Sequence, residues 1–425
     1  MIPLSWEEVS ALGLGRLEGA PADGVVRGVG ADSREVGPGD LFVALNTGVR
    51  YVDEARGRGA ATLVPGDQEA ALAALAALVR SRSHADVVAV VGSTGKTSTK
   101  DILGALCAAH VPTIRSERSL NNELGLPLTV LRLEPETRVL VAEMGMRGLG
   151  QIAELCTIAR PTVALVTSIG PEHLELVGSV SRVAEANAEA VAALPSGGSA
   201  IVPADVPELE AQLVRDDILV RRFDPGEVEF EDGHGRFLVD GHTIELDLPF
   251  RQRHQAVNTL AALHAYAALG LSLERAGDGA ADIELSPWRG EELPLPGGGF
   301  VINDAYNANP DSMRAALLHL AERAGDRRRV AILGEMAELG ASSAGFHEAI
   351  GALAAELAVL VIGVGESARA YDPVVLVDDA PAAAGAAHAY LLPGDAVLVK
   401  ASRAVGLEGI ADEIANFAEA WSPSS

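Results

Sequence analysis

Residues 87–98 read VVAVVGSTGKTS and decide the fold of the region around them. The apolar run predicts a buried strand at 86–91, and a helical pattern follows from about Thr97 to Ala108. Glycines let backbone N–H groups close on phosphate oxygens, and a helix N-terminus, a lysine and a Mg²⁺-ligating hydroxyl complete such a loop. The pattern therefore predicts a nucleotide-phosphate loop, whose expected contact residues are Gly92, Ser93, Thr94, Gly95, Lys96, Thr97 and Ser98.

The spacing of this loop departs from the general pattern, because Val90 stands where that pattern has its first glycine. The loop is the shorter GSTGKT form. A glycine-rich turn between a strand and a helix can also be purely structural. The lysine-threonine pair after a strand favours phosphate binding over that alternative.

Further apolar runs on both sides of the loop predict an α/β fold. Strands are expected at 138–143 and 162–167, and the helical patterns between them indicate right-handed βαβ units in a mainly parallel sheet. Residues 226–248 alternate polar and apolar around Asp-Gly pairs, which favours a small antiparallel addition.

Three segments are expected along the chain. Residues 1–83 are expected to form a small α/β unit closed by an alanine-rich helix. Residues 84–294 are expected to contain the phosphate loop and the parallel sheet. Pro and Gly at 294–299 indicate a linker, and residues 295–425 repeat the α/β pattern, with strands expected at 300–303, 329–333, 358–363 and 395–399.

Composition narrows the class of protein. The formal net charge is −26 over 425 residues with no basic cluster, which argues against a nucleic-acid or anionic-membrane surface. No run approaches the roughly 20 apolar residues of a membrane span, and Ser5 with Glu8 indicates a helix capping box in place of a signal peptide. Cys107 and Cys156 are expected to be buried thiols. We expect a cytoplasmic protein.

Two polar residues follow the predicted central strands at the end where parallel sheets bind ligands. Glu143 ends one strand and could hold Mg²⁺, although a strand-end acid can simply be solvated. His173 follows the next strand and could also ligate a metal, although an isolated histidine is usually structural.

The third segment places further polar groups after its strands. Asp304, Tyr306 and Asn307 suit ribose hydroxyls and an adenine ring, although this stretch could be an ordinary capped loop. Lys400 and Arg403 could bring cations to an anionic group. Arg289 could reach nucleotide phosphates, but a single arginine is weak support.

Together these motifs resemble the Mur ligase family and, within it, the MurF type. The most specific blocks are residues 121–127 (NNELGLP), 143–146 (EMGM), 304–310 (DAYNANP) and 334–340 (GEMAELG). The resemblance implies a UDP-sugar-binding domain, a P-loop ATPase domain and a Rossmann-like domain. It also implies ATP-dependent joining of D-alanyl-D-alanine to UDP-N-acetylmuramoyl-tripeptide through an acyl phosphate, for peptidoglycan synthesis by a monomer.

The resemblance also implies roles for individual residues. Thr97 and Glu143 would hold one Mg²⁺ and His173 a second; Lys96, His173, Asn187 and Arg289 would be catalytic; Asn258, Arg289, Asp304, Tyr306 and Asn307 would contact ATP; and Ser33, Arg34, Asn121, Asn122, Lys400 and Arg403 would bind substrates.

Two positions and one stretch depart from the family pattern. The family usually has a carbamylated lysine at position 187, where this chain has Asn187, and we expect Asn187 to bind metal weakly or through water with help from Glu185 or Glu189. The glycine-rich stretch of the first domain is shortened to residues 46–51, and Ala401 stands where glycine is usual. Two alternatives therefore stay open: a paralogous ligase with another acceptor or amine, and a nucleotide-binding partner protein without ligase activity.

Overall fold

The computed structural model describes residues 1–418 and confirms the α/β class. The described residues form two compact units. The first unit comprises Met1–Ser168, Ala184–Pro249 and Val257–Glu284, and the second comprises Ile169–Val183, Phe250–Ala256 and the described residues from Leu285 onwards. The sequence-based boundaries at 83/84 and 294/295 stay predictions.

The N-terminal part of the first unit contains two small sheets. Its strands are β1 (Leu4–Ser5), β2 (Gly15–Glu18), β3 (Val25–Val26), β4 (Gly28–Gly30), β5 (Asp40–Val43) and β6 (Ala61–Pro65). β1 pairs with β3, and the other four run in the order β2-β6-β5-β4, with only β2 antiparallel to its neighbour. The apolar residues of β5 are fully buried, which places the core of this part under that strand.

A six-stranded parallel sheet forms the centre of the first unit. Its strands are β7 (Asp86–Val91), β8 (Thr113–Arg115), β9 (Val139–Glu143), β10 (Val163–Val166), β11 (Ser199–Pro203) and β12 (Leu219–Phe223), in the order β12-β11-β10-β7-β9-β8. The predicted strands at 86–91, 138–143 and 162–167 are confirmed to within a residue. β7 lies between β9 and β10, so the turn after it opens in the middle of the sheet edge.

The predicted antiparallel addition is also confirmed. β13 (Val228–Glu231), β14 (His234–Val239) and β15 (His242–Asp247) form a three-stranded meander. The Asp-Gly pairs at 232–233 and 240–241 make its two turns, and both residues of each pair have the positive φ that a tight hairpin turn requires.

The second unit carries its own six-stranded sheet. Its strands are β16 (Glu291–Leu295), β17 (Gly299–Asn303), β18 (Arg329–Leu333), β19 (Val359–Val364), β20 (Val375–Val377) and β21 (Ala396–Lys400), in the order β16-β17-β21-β18-β19-β20. All neighbours are parallel except β16 and β17.

The predicted linker at 294–299 is wrong. Pro294 and Leu295 belong to β16, and the following glycines turn the chain directly into β17. β16 lies at the edge of the sheet, where a proline without an N–H group is tolerated. Gly297 and Gly298 have positive φ, so the composition that resembles a linker belongs to a tight hairpin turn.

Helices cover these sheets. They are α1 (Trp6–Ala11), α2 (Val52–Gly57), α3 (Gln68–Arg80), α4 (Lys96–Ala108), α5 (Gly125–Val130), α6 (Gln151–Ala159), α7 (Leu174–Val177), α8 (Val180–Ala192), α9 (Pro207–Glu210), α10 (Arg253–Ala268), α11 (Pro310–Ala324), α12 (Ser343–Glu356), α13 (Ala380–Tyr390) and α14 (Ile410–Ala418). Short 3₁₀ segments span Asn46–Tyr51, Pro225–Glu227, Leu273–Asp282, Pro296–Gly298, Gly340–Ser342, Glu366–Tyr371 and Arg403–Val405. Within residues 1–418 no helix is both long and apolar enough to cross a membrane.

Two local predictions about the first unit are confirmed. Ser5 and Glu8 form the reciprocal capping box of α1. Cys107 and Cys156 are both buried, and burial raises the pKa of each thiol to about 12. The alanine-rich α3 makes a contact that its sequence did not predict, because it packs against α5 and α6 beside the central sheet.

Candidate active site

The loop after β7 can be built only with glycine at two positions. Gly92 has a φ of +127° and Gly95 a φ of +84°, both in the region that side chains disfavour. A Cβ atom on Gly92 would lie 2.3 Å from Thr167 Oγ1, and one on Gly95 would lie 2.4 Å from Asn258 Oδ1. The loop is therefore a tightly packed turn, and it brings the predicted residue Asn258 to its edge.

Lys96 begins α4 and folds back over this loop. Its ammonium donates to the carbonyl of Gly92 and lies 3.4 Å from the carbonyl of Ser93. The segment that follows β10 supports the loop as well, since the backbone N–H of Thr94 donates to Ser168 Oγ at 2.8 Å. A lysine curled over backbone carbonyls at a helix N-terminus is placed to meet an anion there.

Asn187 of α8 supports the same turn. Its Oδ1 accepts a hydrogen bond from the N–H of Gly92 at 2.6 Å, and the residue is buried. Glu189 faces elsewhere, because its carboxylate accepts the N–H groups of Gly150 and Ala153 at the start of α6. Positions two apart on a helix point to different sides. Asn187 therefore stabilises the turn after β7, and Glu189 stabilises the start of α6.

Glu143 is the carboxylate beside the loop, at the end of β9. Asn121 donates its amide to Glu143 Oε1 at 2.7 Å, and Ser116 Oγ accepts the backbone N–H of Glu143. The residue is 1% exposed, and within the described chain its Oε2 has no hydrogen-bond partner. A buried carboxylate oxygen without a donor is suited to a cation.

This donor set fits Mg²⁺ when a nucleotide supplies the remaining ligands. Thr97 is buried at the start of α4, with its hydroxyl 3.5 Å from that of Ser119. Residues 1–418 contain no ready cluster of three acidic, histidine or cysteine ligands. Mg²⁺ is commonly bound by one or two protein oxygens together with substrate phosphates and water, and Thr97 and Glu143 match that pattern.

In the second unit, the predicted residues Asp304 and Lys400 contact each other. β17 and β21 are parallel neighbours with Asn303 opposite Val399, so Asp304 after β17 meets Lys400 at the end of β21. Lys400 Nζ lies 2.6 Å from Asp304 Oδ2 and donates to the carbonyl of Asn307 at 2.9 Å. Burial lowers the pKa of Lys400, and the charge of Asp304 partly opposes that shift.

An aromatic and cationic cluster adjoins this ion pair. The guanidinium of Arg289 lies 3.9 Å from the ring centroid of Tyr306. Arg403 lies 4.6 Å from the ring of Trp288 and 5.8 Å from that of Tyr306. Cations over aromatic faces are attracted by the ring quadrupole, so both arginines stabilise the position of the Tyr306 ring.

His173 is paired in the second unit with a residue that sequence reasoning did not assign. Its Nδ1 contacts Glu338 Oε2, and both residues have positive φ. Glu338 lies in the 334–340 block that carried the resemblance, so that block was the available signal. The Glu338 carboxylate orients the ring through Nδ1, so Nε2 is the ring nitrogen that could ligate a metal.

The residues predicted to bind the nucleotide sugar, Ser33 and Arg34, both contact neighbouring carboxylates in the first unit. Ser33 is buried and donates to Glu54 Oε2 at 3.0 Å, whereas Arg34 is exposed and pairs with Asp32. That arginine lowers the pKa of Asp32 to about 2. The shortened stretch at 46–51 forms a 3₁₀ turn with an exposed Tyr51.

Comparisons with known proteins cover both units. The family described as "Mur ligase middle domain" matches residues 90–266, and the one described as "Mur ligase, glutamate ligase domain" matches residues 289–403. The UDP-N-acetylmuramoyl-tripeptide--D-alanyl-D-alanine ligase of Escherichia coli is 34% identical over 87% of this chain and 88% of its own length. The chain belongs to the Mur ligase family.

Other relatives agree with this membership. The Mycobacterium tuberculosis ligase of the same name is 34% identical over 90% of this chain and 91% of its own. MurF from Acinetobacter baumannii superposes with a TM-score of 0.84 at 26% identity, covering 97% of this chain and 99% of that one. MurF ligase from Thermotoga maritima in complex with ADP superposes with a TM-score of 0.80 at 27% identity. The match covers 93% of this chain and 99% of that one.

Within this Mur ligase, one departure from the family pattern is accommodated by its neighbour. Ala401 follows β21 and is fully buried. Gly334 lies opposite, where an added Cβ would stand 2.7 Å from the Ala401 methyl. The alanine therefore fits because position 334 has no side chain.

Proposed function

We propose that the chain is an ATP-dependent ligase that joins D-alanyl-D-alanine to UDP-N-acetylmuramoyl-tripeptide for peptidoglycan synthesis. The observation that carries this proposal is the match to MurF-type enzymes through nearly the whole chain, in both units. The phosphate loop supports the ATP dependence, because its glycines and Lys96 have the geometry of an anion site.

The reaction proceeds in two steps. An oxygen of the tripeptide's terminal carboxylate attacks the γ-phosphorus of ATP, forming an acyl phosphate and releasing ADP. The amine of D-alanyl-D-alanine then attacks the acyl carbon, and phosphate leaves as the amide forms and the nitrogen loses a proton. Two anions must approach in the first step, so charge neutralisation is the main requirement.

Residues of the first unit serve that requirement. Lys96 exchanges its contacts with the Gly92 and Ser93 carbonyls for phosphate oxygens, and Asn187 keeps the turn in place through Gly92. Thr97 and Glu143 would hold Mg²⁺, which when bound neutralises phosphate charge. Asn258 packs at Gly95 and is proposed to contact ATP.

Residues of the second unit are proposed to bind the nucleoside and to serve the reacting groups. Asp304 would meet the ribose, with its carboxylate held by Lys400, and Tyr306 would meet adenine. Arg289 is proposed to contact the phosphates from its position over Tyr306. The backbone carbonyl of Asn307 accepts from Lys400, and its side-chain amide is proposed to contact ATP. His173 is the proposed ligand of a second Mg²⁺, oriented by Glu338.

Recognition of the two other substrates is assigned to both units. Ser33 and Arg34 would meet the uridine diphosphate, and Asn121 and Asn122 the muramoyl peptide. Asn122 Oδ1 accepts the N–H of Gly125, which fixes the start of α5. Arg403 would act on an anionic group of a substrate.

Phosphate release from ATP tests the function, with UDP-muramoyl-tripeptide and D-alanyl-D-alanine each omitted in turn. We expect release that requires both substrates, with an amide product of matching mass. Release with another amine would favour a paralogous ligase. Binding of Mg-ADP without release under any combination would favour a nucleotide-binding partner protein.

A further inference from the structure

A lysine that no assigned role uses lies beside the proposed Mg²⁺ carboxylate. Lys100 is one helical turn after Lys96 in α4 and is completely buried. Its ammonium donates to the carbonyl of Arg118 at 2.6 Å and lies 3.1 Å from Asp101 Oδ1. It is also 3.9 Å from Glu143 Oε2, the oxygen that lacks a hydrogen-bond partner in the described chain.

The surroundings contain two buried carboxylates that need a counter-charge. Asp101 and Glu143 are both less than 5% exposed. Arg115 contacts Asp101 and not Glu143. Its Nε lies 4.0 Å from the Asp101 carboxylate, and its Nη1 donates to the backbone carbonyl of Asp101. The neighbouring contact to Glu143 comes from Asn121, which carries no charge. An unpaired buried charge is strongly unfavourable.

We infer that Lys100 is the internal counter-cation of Glu143, a positioning residue that holds this carboxylate ready and sets how tightly a divalent cation binds. The inference rests on the proposed function, which gives Glu143 its role in Mg²⁺ binding. A divalent cation at Oε2 is repelled by an ammonium group within a few ångströms, and little solvent screens that repulsion. Lys100 therefore stabilises the cation-free protein and weakens the cation site.

Replacing the charge separates these two effects. In Lys100→Met, Asp101 and Glu143 lose their shared cation, so the melting temperature in EDTA should fall. The same variant should reach half-maximal stabilisation by Mg²⁺, at saturating ADP, at about tenfold lower Mg²⁺ concentration than the parent. The measurement is thermal unfolding of the full chain across a Mg²⁺ titration, which needs no turnover.

Thr99→Val is the matched control. Thr99 is fully buried in the same helix, and its hydroxyl has no hydrogen-bond partner within residues 1–418. The change removes a polar atom without altering charge, so the Mg²⁺ midpoint should stay at the parent value. If Lys100→Met does not fold, Lys100→Gln retains an N–H donor without the charge, and its midpoint should shift in the same direction.

The outcomes separate this inference from the proposed function. A parent protein that Mg²⁺ and ADP stabilise, with a Lys100 variant whose midpoint is unchanged or higher, would overturn the counter-cation role and leave the proposed function intact. A parent protein that shows no Mg²⁺-dependent stabilisation would overturn the Mg²⁺ role of Glu143 as well. A lower midpoint in both Lys100 variants and an unchanged one in Thr99→Val supports the inference.

Discussion

The parallel sheet of the first unit and the mainly parallel sheet of the second carry polar groups at the carboxyl ends of their strands, assembled in different ways. In the first unit, the phosphate loop is a contiguous turn whose shape is set by Gly92 and Gly95. In the second, Asp304 and Lys400 are 96 residues apart and meet because β17 and β21 are neighbours. A site made of consecutive backbone can be recognised in a sequence, whereas a site made of paired side chains depends on the strand order.

The largest effect is expected in the loop after β7, the site formed by consecutive residues. Lys96→Met should reduce ATP-dependent phosphate release about 10³-fold, because a positive charge poised over the phosphate loop is lost. Steady-state phosphate release measures the change, and unfolding in urea checks that the fold is kept. Arg236→Met removes an exposed cation from the three-stranded sheet and should behave as the parent. Similar rates in the two variants would contradict a phosphate role for Lys96.

The paired site should depend on its buried charges for stability. Lys400→Met leaves Asp304 without its cation and should lower the free energy of unfolding by about 3 kcal/mol. Adding Asp304→Asn should recover most of that loss, because neither charge is then left unpaired. Urea unfolding of the two variants and the parent gives the comparison. A double variant as unstable as Lys400→Met would mean that packing, and not charge, makes Lys400 important.

Acid should weaken the second unit through His319 of α11. The ring is buried, both nitrogens lack hydrogen-bond partners among the described residues, and burial lowers its pKa to about 4, with His254 adding to the shift. Between the unfolded value near 6.5 and about 4, the unfolded chain binds a proton that the folded one does not. Stability is therefore complete above pH 6.5 and falls as the pH drops.

Because of His319, the free energy of unfolding should be about 2 kcal/mol lower at pH 5 than at pH 7. His319→Leu should lose less stability than the parent over that interval, as measured by urea unfolding at both pH values. His234→Gln is a suitable control, because His234 is exposed and Asp247 raises its pKa. Equal losses in the parent and His319→Leu would rule out this residue as the source.

The smallest effect concerns the support of the phosphate loop. Asn187→Ala removes the acceptor of the Gly92 N–H and should raise the KM for ATP about fivefold, which corresponds to about 1 kcal/mol. A second variant, Asn187→Lys, is assayed for phosphate release with added bicarbonate. A rate equal to the parent's means that Asn187 fully compensates for the lysine usual in the family, and a faster rate contradicts this.

The contrast between the two sheets also explains what the sequence could predict. Apolar runs predicted β7, β9 and β10 and, in the second unit, β17, β18, β19 and β21, because buried parallel strands are continuous and hydrophobic. The edge strands β16 and β20 were not predicted. The proline-glycine stretch at 294–299 has the composition of a linker but forms a strand end and a hairpin turn, because linkers and hairpin turns use the same residues.

Contacts between distant residues were beyond local pattern reading. The bond of Asn187 to Gly92 joins positions 95 apart in sequence, and that of His173 to Glu338 joins positions 165 apart. Each depends on which elements the fold places side by side. The contact of Lys100 is of the same kind, since Lys100 lies in α4 and its partner Glu143 lies at the end of β9.

The two buried thiols have a practical consequence for following this enzyme at work. Cys107 and Cys156, with pKa values of about 12, remain protonated at neutral pH and out of reach of alkylating dyes. Cysteines introduced at one exposed position in each unit would therefore take up fluorophores selectively. Energy transfer between such labels would report the distance between the units during turnover, with both native cysteines left in place.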